Sequence, residues 1–274
     1  DAIVDRIREK TGSRPTVDLD EPDFRINVHL FRDQCTVALD SSGKSLHLRG
    51  YRQKTGPAPM NEVLAAGLIR LSGWKPDIPL LDPMCGSGTI LIEAAMAARN
   101  IPAGFRRSSW GFMKWNDFDP GLWELICREK PETNDHKPAL IHGADRSAQA
   151  IEAAGLNILN AGLQDAVTLE VSSLRDIRPP FPKGFIIANP PYDERIKLED
   201  SLGFYKMIGD SLKQKFAGYT AWLISADLKS VKFIGLRPSR KIQIYNGPLE
   251  CRFLKFDLFE GKKQPAPPAR EENQ

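Results

Sequence analysis

Residues 82–89 read Asp82-Pro83-Met84-Cys85-Gly86-Ser87-Gly88-Thr89, and they lie between a short apolar run and a stretch with helical periodicity. In doubly wound α/β sheets, ligands bind at such strand-to-helix turns, outside the carboxyl ends of the strands. Glycines let the backbone approach a ligand closely, and the helix that follows offers unpaired N–H groups. This stretch therefore predicts an α/β fold and a ligand site at one edge of its sheet.

The same stretch excludes two common nucleotide sites. A phosphate-binding Walker loop requires a Gly-Lys-Ser/Thr sequence, and residues 82–89 contain no lysine. A dinucleotide fingerprint requires a third glycine where Leu91 stands. The pattern fits a site for a cofactor that has no pyrophosphate. Asp82 could then neutralise a cationic group near the carboxylate end of S-adenosylmethionine. The alternative is a strand–helix turn that binds no ligand.

Outward from residues 82–89, short apolar strands alternate with helices. We expect strands at residues 80–82, 139–143, 167–171, 185–188 and 220–224, and helices at residues 62–71, 88–98, 147–160 and 202–216. This alternation predicts a doubly wound, mostly parallel sheet. Near the C-terminus, residues 241–245 and 250–259 alternate with period two around an Asn246-Gly247 turn, which predicts a final antiparallel hairpin.

The N-terminal part of the chain has a different pattern. A short helical stretch is followed by three candidate strands, at residues 24–30, 36–40 and 46–51. These strands are too few to make an independent domain, so we predict that residues 1–50 are the end of an accessory module. Residues 51–260 would then form the catalytic domain. Residues 261–274, rich in Lys, Pro, Glu and Gln, would form a frayed tail.

Asp145 follows the strand at residues 139–143 and is the second candidate ligand contact. A carboxylate at this position can accept hydrogen bonds from two ribose hydroxyls, and it can also cap the helix that follows. Asp145 lies 63 residues after Asp82, farther than in a compact unit, because of an insertion at about residues 100–137. The insertion is rich in aromatic residues, namely Phe105, Trp110, Phe112, Trp115, Phe118 and Trp123.

Asn189-Pro190-Pro191-Tyr192 directly follows the strand at residues 185–188. The two prolines fix the backbone and remove N–H donors, which leaves carbonyl groups exposed at the strand end. The Asn189 side-chain oxygen and the Pro190 carbonyl can then accept from one exocyclic amino group and aim its lone pair at a methyl donor. Tyr192 offers a face on which a planar base or amide can stack. The alternative is a rigid turn with a buried tyrosine.

Composition and charge narrow the class of protein. The 274 residues are 41% hydrophobic and 27% charged, and the net charge of +3 does not by itself indicate a nucleic-acid binder. No stretch is long enough to span a bilayer, so we expect a cytoplasmic protein with no membrane partner. The nearest cysteines, Cys85 and Cys127, are 42 residues apart and lack zinc-site spacing, so we expect no metal. Because the chain lacks an initiator methionine, we expect it to begin inside a longer protein.

These segments resemble the motifs of a known family. Residues 82–89, Asp145 and Asn189-Pro190-Pro191-Tyr192 are similar to motifs of class I S-adenosylmethionine-dependent amino-group methyltransferases. More narrowly, about residues 20–260 resemble the bacterial RlmL-type 23S rRNA guanine-N2 methyltransferases, through Arg49-Gly50-Tyr51-Arg52, Pro59, Glu62-Val63-Leu64-Ala65-Ala66 and Trp110-Gly111-Phe112. The resemblance implies a Rossmann-like methyltransferase sheet, preceded by the end of a small α+β THUMP module that binds RNA.

The resemblance also implies a set of site residues. The residues that it implies to be catalytic are Asn189, Pro190, Pro191 and Tyr192. The residues that it implies to contact the cofactor are Glu62, Asp82, Pro83, Met84, Cys85, Gly86, Ser87, Gly88, Thr89, Asp145, Ser173, Leu174 and Asn189. Relatives often carry an acidic residue on the adenine amine where Ser172-Ser173 stands here, so we expect an uncharged and weaker contact at Ser173.

The implied substrate is a guanine flipped out of RNA, either 23S rRNA or a ribosome assembly intermediate. Candidate RNA contacts are Arg49, Arg52, Arg106, Arg107 and Trp110, because cations beside aromatic rings suit phosphates and unstacked bases. The alternatives are an ordinary solvated surface and an aromatic lid packed on the core. Two rival functions stay open: amino methylation of adenine in DNA or RNA, or of a protein glutamine, and a non-catalytic role as an RNA-binding assembly factor.

Overall fold

The computed structural model describes residues 2–54, 60–129, 140–191 and 198–260, with side chains from residue 201 onward in the last range. The chain divides into two compact units. The smaller unit contains Asp1–Leu48 together with Arg106–Lys130, and the larger unit contains Arg49–Phe105 together with Pro131–Gln274. The division therefore differs from a single boundary near residue 50, because the aromatic insertion belongs to the smaller unit.

The described helices and strands are α1 (Ala2–Thr11), β1 (Arg25–Phe31), β2 (Gln34–Asp40), α2 (Glu62–Ser72), β3 (Leu80–Asp82), α3 (Thr89–Ala98), α4 (Pro120–Arg128), β4 (Ile141–Asp145), α5 (Ala148–Ala161), β5 (Val167–Val171), β6 (Gly184–Ala188), α6 (Leu198–Lys215), β7 (Tyr219–Ser225), β8 (Arg240–Asn246) and β9 (Leu249–Asp257). Short 3₁₀ helices cover Gly111–Lys114 and Ser230–Ile234. Within the described ranges, no helix has the length and apolar character needed to cross a membrane.

Seven strands form the sheet of the larger unit, in the order β5-β4-β3-β6-β7-β9-β8. Neighbours from β5 to β7 are parallel, and β9 pairs antiparallel with both β7 and β8. The last pair of the β8–β9 ladder is Asn246 with Leu249, so the hairpin predicted from the Asn246-Gly247 turn is confirmed. The mostly parallel, doubly wound sheet predicted from the strand–helix alternation is also confirmed.

The two faces of this sheet bury different side chains, because neighbouring residues of a strand point to opposite faces. On β3, Leu80 belongs to one apolar cluster and Leu81 to the other, and on β6 Ile187 and Ile186 divide in the same way. Helices α2, α3 and α5 contribute to the first cluster, and α6 contributes to the second. Burial on both faces explains why the central strands are continuous apolar runs.

Local sequence signals fix the ends of the helices beside the sheet. Asn61 caps α2 by accepting hydrogen bonds from two backbone N–H groups of its first turn, and Gly73 ends that helix in a left-handed conformation. Ser147 caps α5 through a hydrogen bond from the Ala150 N–H. Only Arg146 and Ser147 therefore separate the end of β4 from the start of α5.

The strand order places β6 next to β3, although β4 and β5 lie between them in the chain. The chain runs from β3 through β4 to β5 toward one edge, and then continues on the other side of β3 with β6 and β7. Open α/β sheets bind ligands at such a switch point, outside the carboxyl ends of the strands. This topology brings together the strand ends that carry Asp82, Asp145 and Asn189.

In the smaller unit, β1 and β2 form an antiparallel hairpin whose residues are almost all exposed. The aromatic insertion packs against this N-terminal segment. The rings of Phe24 and Trp115 stack with centroids 6.4 Å apart, and the Phe112 N–H donates to the Ser41 carbonyl at 3.1 Å. Two segments that are distant in the chain therefore build one unit.

The strand predicted at residues 46–51 is wrong, because the described structure has no strand there. Leu46 and Leu48 are exposed, whereas Arg49 and Tyr51 are buried. Arg49 and the Tyr51 hydroxyl both donate to the carboxylate of Glu93 on α3. Arg49 and Tyr51 are thus buried through polar contacts with Glu93 and not through a β ladder.

Candidate active site

A cavity of about 880 Å³ opens at the carboxyl ends of β3, β4 and β6. Its walls come from the turn after β3, the first turns of α3 and α5, the loop after β5, and α6. The predicted site residues that line it are Asp82, Pro83, Met84, Cys85, Gly86, Ser87, Thr89, Asp145, Ser173, Leu174, Asn189 and Pro191. Pro190 is buried, and Tyr192 lies outside the described residues. Residues predicted from four separate segments therefore share one cavity.

Asp82 ends β3 and is only 1% exposed. Its Oδ1 accepts a hydrogen bond from the Met84 N–H at 3.1 Å. Burial is the main cause that raises the pKa of Asp82 to about 8, and the negative charge of Asp145 raises it further. A cationic ligand group would offset both effects, so this position suits an ammonium group.

Asp145 is the last residue of β4, and both of its carboxylate oxygens accept hydrogen bonds from backbone N–H groups. Oδ2 accepts from Gly86 at 3.0 Å, and Oδ1 accepts from Ser147 at 2.9 Å. The helix cap of α5 is Ser147, not Asp145. Asp145 thus ties the turn after β3 to the turn after β4, and each oxygen can still accept a second donor from a ligand.

Asn189 directly follows β6 and lines the cavity together with Pro191. Its side-chain oxygen Oδ1 is buried and accepts no hydrogen bond from the described residues. A buried acceptor without a donor costs about 1–3 kcal/mol, so an atom of this kind needs an explanation. Its place on the wall of the cavity gives one: the oxygen suits an amino group of a bound substrate.

Two family models match the chain. The model described as "RMKL-like, methyltransferase domain" (UPF0020) matches residues 49–255, and a THUMP domain model matches residues 1–40. The chain belongs to the RMKL-like methyltransferase family. The first match includes Asp82, Asp145 and Asn189, and the second includes α1, β1 and β2.

Similar proteins support this assignment. A Synechocystis protein provisionally named an RNA methyltransferase is 42% identical over 260 residues, which are 94% of this chain and 68% of the relative. SMU.472, provisionally named a methyltransferase and crystallised with S-adenosylhomocysteine, is 33% identical with a TM-score of 0.82, over 95% of this chain and 69% of its own. A Listeria monocytogenes protein, named from its sequence an N6-adenine-specific DNA methylase, is 32% identical with a TM-score of 0.79, over 94% and 67% of the two chains.

The wall of the methyltransferase cavity that includes Ser173 also carries an acidic group. Asp176 lines the cavity three residues later, and the Ser173 Oγ donates to its Oδ2 at 2.5 Å. The contact expected at Ser173 therefore has a negative charge beside it. The loop after β5 therefore presents a serine and a carboxylate together.

Sequence reasoning missed further residues on the cavity wall, among them Met60, Arg146, Gln149, Arg175, Asp176, Phe204 and Met207. Arg146 follows Asp145 directly, so its position next to a predicted contact was a usable signal. Phe204 and Met207 are three residues apart on α6 and share one face of that helix. Helical spacing could have paired them, but it carries no information on which sheet edge the face meets.

Two predicted cofactor residues, Glu62 and Gly88, are not among the described residues that line the cavity. Glu62 is buried and accepts a hydrogen bond from Arg52 Nε at 2.8 Å. Gly88 has a φ of +83°, and a Cβ at this position would lie 3.2 Å from the Cβ of Ala154. Gly88 thus allows the turn before α3 to approach α5 closely.

The RNA-contact candidates of the larger unit, Arg49 and Arg52, point into the protein. Arg49 is 8% exposed and forms an ion pair with Glu93. The pKa of Glu93 is raised, because the effect of burial exceeds the opposing effect of the Arg49 charge. Arg52 forms an ion pair with Glu62. Buried guanidinium groups that already bind carboxylates are poor contacts for RNA phosphates, so their placement argues against this role.

The other three RNA-contact candidates belong to the smaller unit. Arg107 donates to the carbonyl oxygens of Ser42 and Lys44, both at 2.8 Å. Its guanidinium carbon also lies 4.5 Å from the centroid of the Trp110 ring. Arg107 and Trp110 thus connect the insertion to the N-terminal segment, and Arg106 beside them is exposed.

Proposed function

We propose that this protein transfers a methyl group from S-adenosylmethionine to the exocyclic N2 amine of a guanine in RNA, in 23S rRNA or a ribosome assembly intermediate in the cytoplasm. One observation carries the proposal. Asn189 Oδ1 is a buried acceptor without a donor among the described residues, on the wall of the cavity that Asp82 and Asp145 also line. An amino group is the donor that this oxygen lacks.

The residues of the cavity fit the cofactor. Asp82 suits the α-ammonium group because a cation would stabilise its buried carboxylate. Asp145 suits the ribose hydroxyls, since its oxygens keep acceptor capacity after their two backbone hydrogen bonds. Ser173 and Asp176 offer acceptors for the adenine amine on a third wall. The cofactor supplies a methyl group that its positively charged sulfur already activates.

The work of the protein is then to orient the acceptor amine. Asn189 Oδ1 and the Pro190 carbonyl accept the two N–H groups of the amine, which leaves its lone pair free to point toward the methyl group. No strong general base is needed at this stage, because the donor is activated by its charge. The amine becomes cationic as the bond forms, so the Asn189 oxygen stabilises the transition state more than the bound substrate.

Two comparisons favour RNA as the substrate. The N-terminal segment matches a THUMP domain, and the Synechocystis relative is named an RNA methyltransferase. We assign target recognition to residues 1–50 and the exposed Arg106, and catalysis to residues 51–260. Tyr192 completes the proposed acceptor site by stacking on the flipped base.

The adenine amine is the second candidate acceptor, since the same oxygen can accept from it and the Listeria relative is named an N6-adenine-specific methylase. Methylation of ribosomal RNA from a strain that lacks the gene, with purified protein and labelled S-adenosylmethionine, distinguishes the guanine amine from the adenine amine. Mass spectrometry of the nucleosides should detect N2-methylguanosine. N6-methyladenosine would favour the second candidate, and RNA binding without any methyl transfer would favour an assembly factor.

A further inference from the structure

Residues 228–249, from the loop after β7 to the turn of the β8–β9 hairpin, contain five basic residues and no acidic residue. All five are exposed, namely Lys229, Lys232, Arg237, Arg240 and Lys241. Their five positive charges exceed the net charge of the whole chain, which is +3. The net positive charge of the protein therefore comes from this one segment.

The side chains of these five residues differ from those of Arg49 and Arg52, which form ion pairs with buried carboxylates. Among the residues that the structure describes, none of the five has an ion pair or a side-chain hydrogen bond. A cation without an internal partner can bind a phosphate and lose no contact of the protein. These side chains are therefore available to a polyanion.

The pairing of β8 with β9 shows which side of the sheet its side chains face. Lys241 is opposite Leu254, which belongs to the apolar cluster that α6 also joins. Side chains alternate along a strand, so Gln243 and Tyr245 face the α6 side together with Lys241. One side of β8 thus presents a cation, an amide and a phenol.

The 3₁₀ helix that carries Lys232 lies on the same side of the sheet, because its Ile234 belongs to the same apolar cluster. Gly209 of α6 allows this helix to approach closely, since a Cβ there would overlap the Ile234 carbonyl. Asp227, which precedes the helix, accepts a hydrogen bond from Ser201 of α6 at 2.9 Å. The lysines of this segment are therefore held beside α6, which also forms part of the cavity wall.

The tip of the β8–β9 hairpin lies at the edge of the sheet where the cavity opens. Arg252 of β9 is opposite Ser225, the last residue of β7. Leu249–Cys251 therefore extend about 10 Å beyond the end of β7, at about 3.3 Å per residue. Tyr245 pairs within this tip, so it lies at the same edge as Asn189. Three strand spacings separate β8 from β6, or about 14 Å.

Tyr245 offers an aromatic face to solvent at this tip. Its side chain belongs to a residue that is 59% exposed, although large apolar surfaces are usually buried. The Gln243 Nε2 donates to the Tyr245 hydroxyl at 3.2 Å and so restrains the ring. An exposed ring beside cations suits the stacking of an unpaired base.

We infer that this side of the hairpin and the adjoining 3₁₀ helix bind the RNA strand that flanks the target nucleotide. The hairpin surface, as we call it, consists of Lys229, Lys232, Lys241 and Tyr245. Its cations bind phosphates, and its ring stacks on a base. A nucleic-acid strand rises about 3.4 Å per nucleotide, so the surface lies within about four nucleotides of a base flipped toward Asn189. The inference rests on the proposed RNA substrate, and it gives the larger unit an RNA contact of its own.

Three other cations provide a matched control. Arg240 is next to Lys241 in β8 and so faces the opposite side of the sheet. Lys75 and Lys183 precede β3 and β6, and they lie at the edge of the sheet opposite the cavity. All three are exposed and have no side-chain partner in the described parts of the chain. Replacing them removes the same charge but none of the proposed phosphate contacts.

The test measures binding of a fluorescent single-stranded oligoadenylate RNA to the full chain by anisotropy, over a range of salt concentrations. Phosphate contacts do not depend on base sequence, and each lost contact reduces the slope of log K against log salt by about 0.7 for a single strand. The hairpin-surface variant, with Lys229→Gln, Lys232→Gln and Lys241→Gln, should reduce this slope by about 2. The control variant, with Lys75→Gln, Lys183→Gln and Arg240→Gln, should leave it nearly unchanged.

A further variant, Tyr245→Ala, separates stacking from charge. It should weaken binding of the oligoadenylate at least about fivefold, with no change in the salt slope. Thermal unfolding and affinity for S-adenosylhomocysteine should stay unchanged in all of these variants, because every replaced side chain is exposed and none lines the cavity. In methylation of ribosomal RNA, the hairpin-surface variant should raise KM for the RNA with little effect on kcat.

Equal salt slopes for the hairpin-surface and control variants, or no binding of the oligoadenylate by the unmodified protein, would overturn the inference. Methyl transfer to ribosomal RNA by the unmodified protein would in that case still support the proposed function. Conversely, different slopes without any methyl transfer to RNA would support the surface and overturn the proposed function. Binding of phosphatidylglycerol vesicles that only the hairpin-surface variant loses, with equal RNA slopes, would assign the surface to a membrane instead.

Discussion

The two ends of the cavity differ in how their polar atoms are paired. At the ends of β3 and β4, Asp82 and Asp145 accept hydrogen bonds from backbone N–H groups of the turns that follow. At the end of β6, the buried Asn189 oxygen has no donor within the described structure. At one end the polar atoms are paired within the protein, and at the other we propose that a substrate supplies the missing donor.

Because of this difference, we expect one end of the cavity to determine the affinity for the cofactor and the other to determine the rate of methyl transfer. Groups that are fixed by protein partners hold a ligand equally well before and during the reaction, so they contribute to binding. A group that gains its partner only from the reacting amine contributes to the transition state. Substitutions at the β3–β4 end should weaken cofactor binding, and substitutions at the β6 end should slow methyl transfer.

The largest effect is expected for Asn189→Ala. Single-turnover methylation should slow by at least about 100-fold, while affinity for S-adenosylhomocysteine stays nearly unchanged. The melting temperature should not fall, because no described residue loses a hydrogen bond. Rapid-quench kinetics and calorimetry measure the two quantities. A near-normal single-turnover rate would be incompatible with the proposed role of Asn189.

A smaller effect on binding is expected for Asp145→Ala. Loss of a charge-assisted acceptor should weaken S-adenosylhomocysteine binding by about 1.5–3 kcal/mol, or roughly ten- to a hundredfold. Asn61→Ala is the control, since it removes the cap of α2 at a residue that is not among those lining the cavity and should cost about 1 kcal/mol of stability with little change in affinity. Unchanged affinity in Asp145→Ala, measured by calorimetry, would remove Asp145 from the ribose site.

The pH dependence of binding tests Asp82. Since its pKa is raised to about 8, most of the empty protein holds this carboxyl protonated at neutral pH. A ligand ammonium favours the carboxylate, so binding should release nearly one proton and tighten up to about tenfold per pH unit as the pH rises toward the raised pKa. Calorimetry at about pH 6.5 in buffers of different ionisation enthalpy counts the protons, because the ligand amine stays charged there.

Asp82→Asn is the control for this measurement. It should abolish the proton release, and its affinity should no longer depend on pH in this range. Release of a full proton by Asp82→Asn would assign the titration to another group and leave the ammonium site without its proposed partner.

The smallest effect is expected for Tyr192→Phe. The ring that stacks on the base is retained and only the hydroxyl is lost, so the methylation rate should stay close to that of the unmodified protein. Tyr192→Ala should reduce both the rate and productive RNA binding. A large loss in Tyr192→Phe, seen in the same single-turnover assay, would give the hydroxyl a role and require a different acceptor site.

The sequence predicts this fold well where local signals agree with the long-range order of the strands. The Asn246-Gly247 turn, the caps Asn61 and Ser147, and the apolar runs of β3 and β6 each predict a local structure that the fold contains. Asp82, Asp145 and Asn189 could be placed together because parallel strands end at one edge of their sheet.

The rest depends on contacts between segments that no local pattern relates. The aromatic insertion predicted either a lid or an RNA surface, yet its rings pack on the N-terminal segment, as Trp115 does on Phe24. Residues 46–51 alternate like a strand, but Arg49 is buried by its ion pair with Glu93 and not by strand pairing. A basic side chain looks the same in sequence whether it contacts phosphate or a buried carboxylate.

The insertion that completes the smaller unit also sets an order of events during synthesis. Residues 1–48 are made before the segment they pack against, residues 106–130, which follows only after α2, β3 and α3. Pairing of β3 with β4 must in turn wait for the whole of residues 83–140, and a longer loop is entropically more costly to close. The smaller unit is complete once residue 130 has been made, so it can finish folding before the larger unit, whose last strand ends only at Asp257.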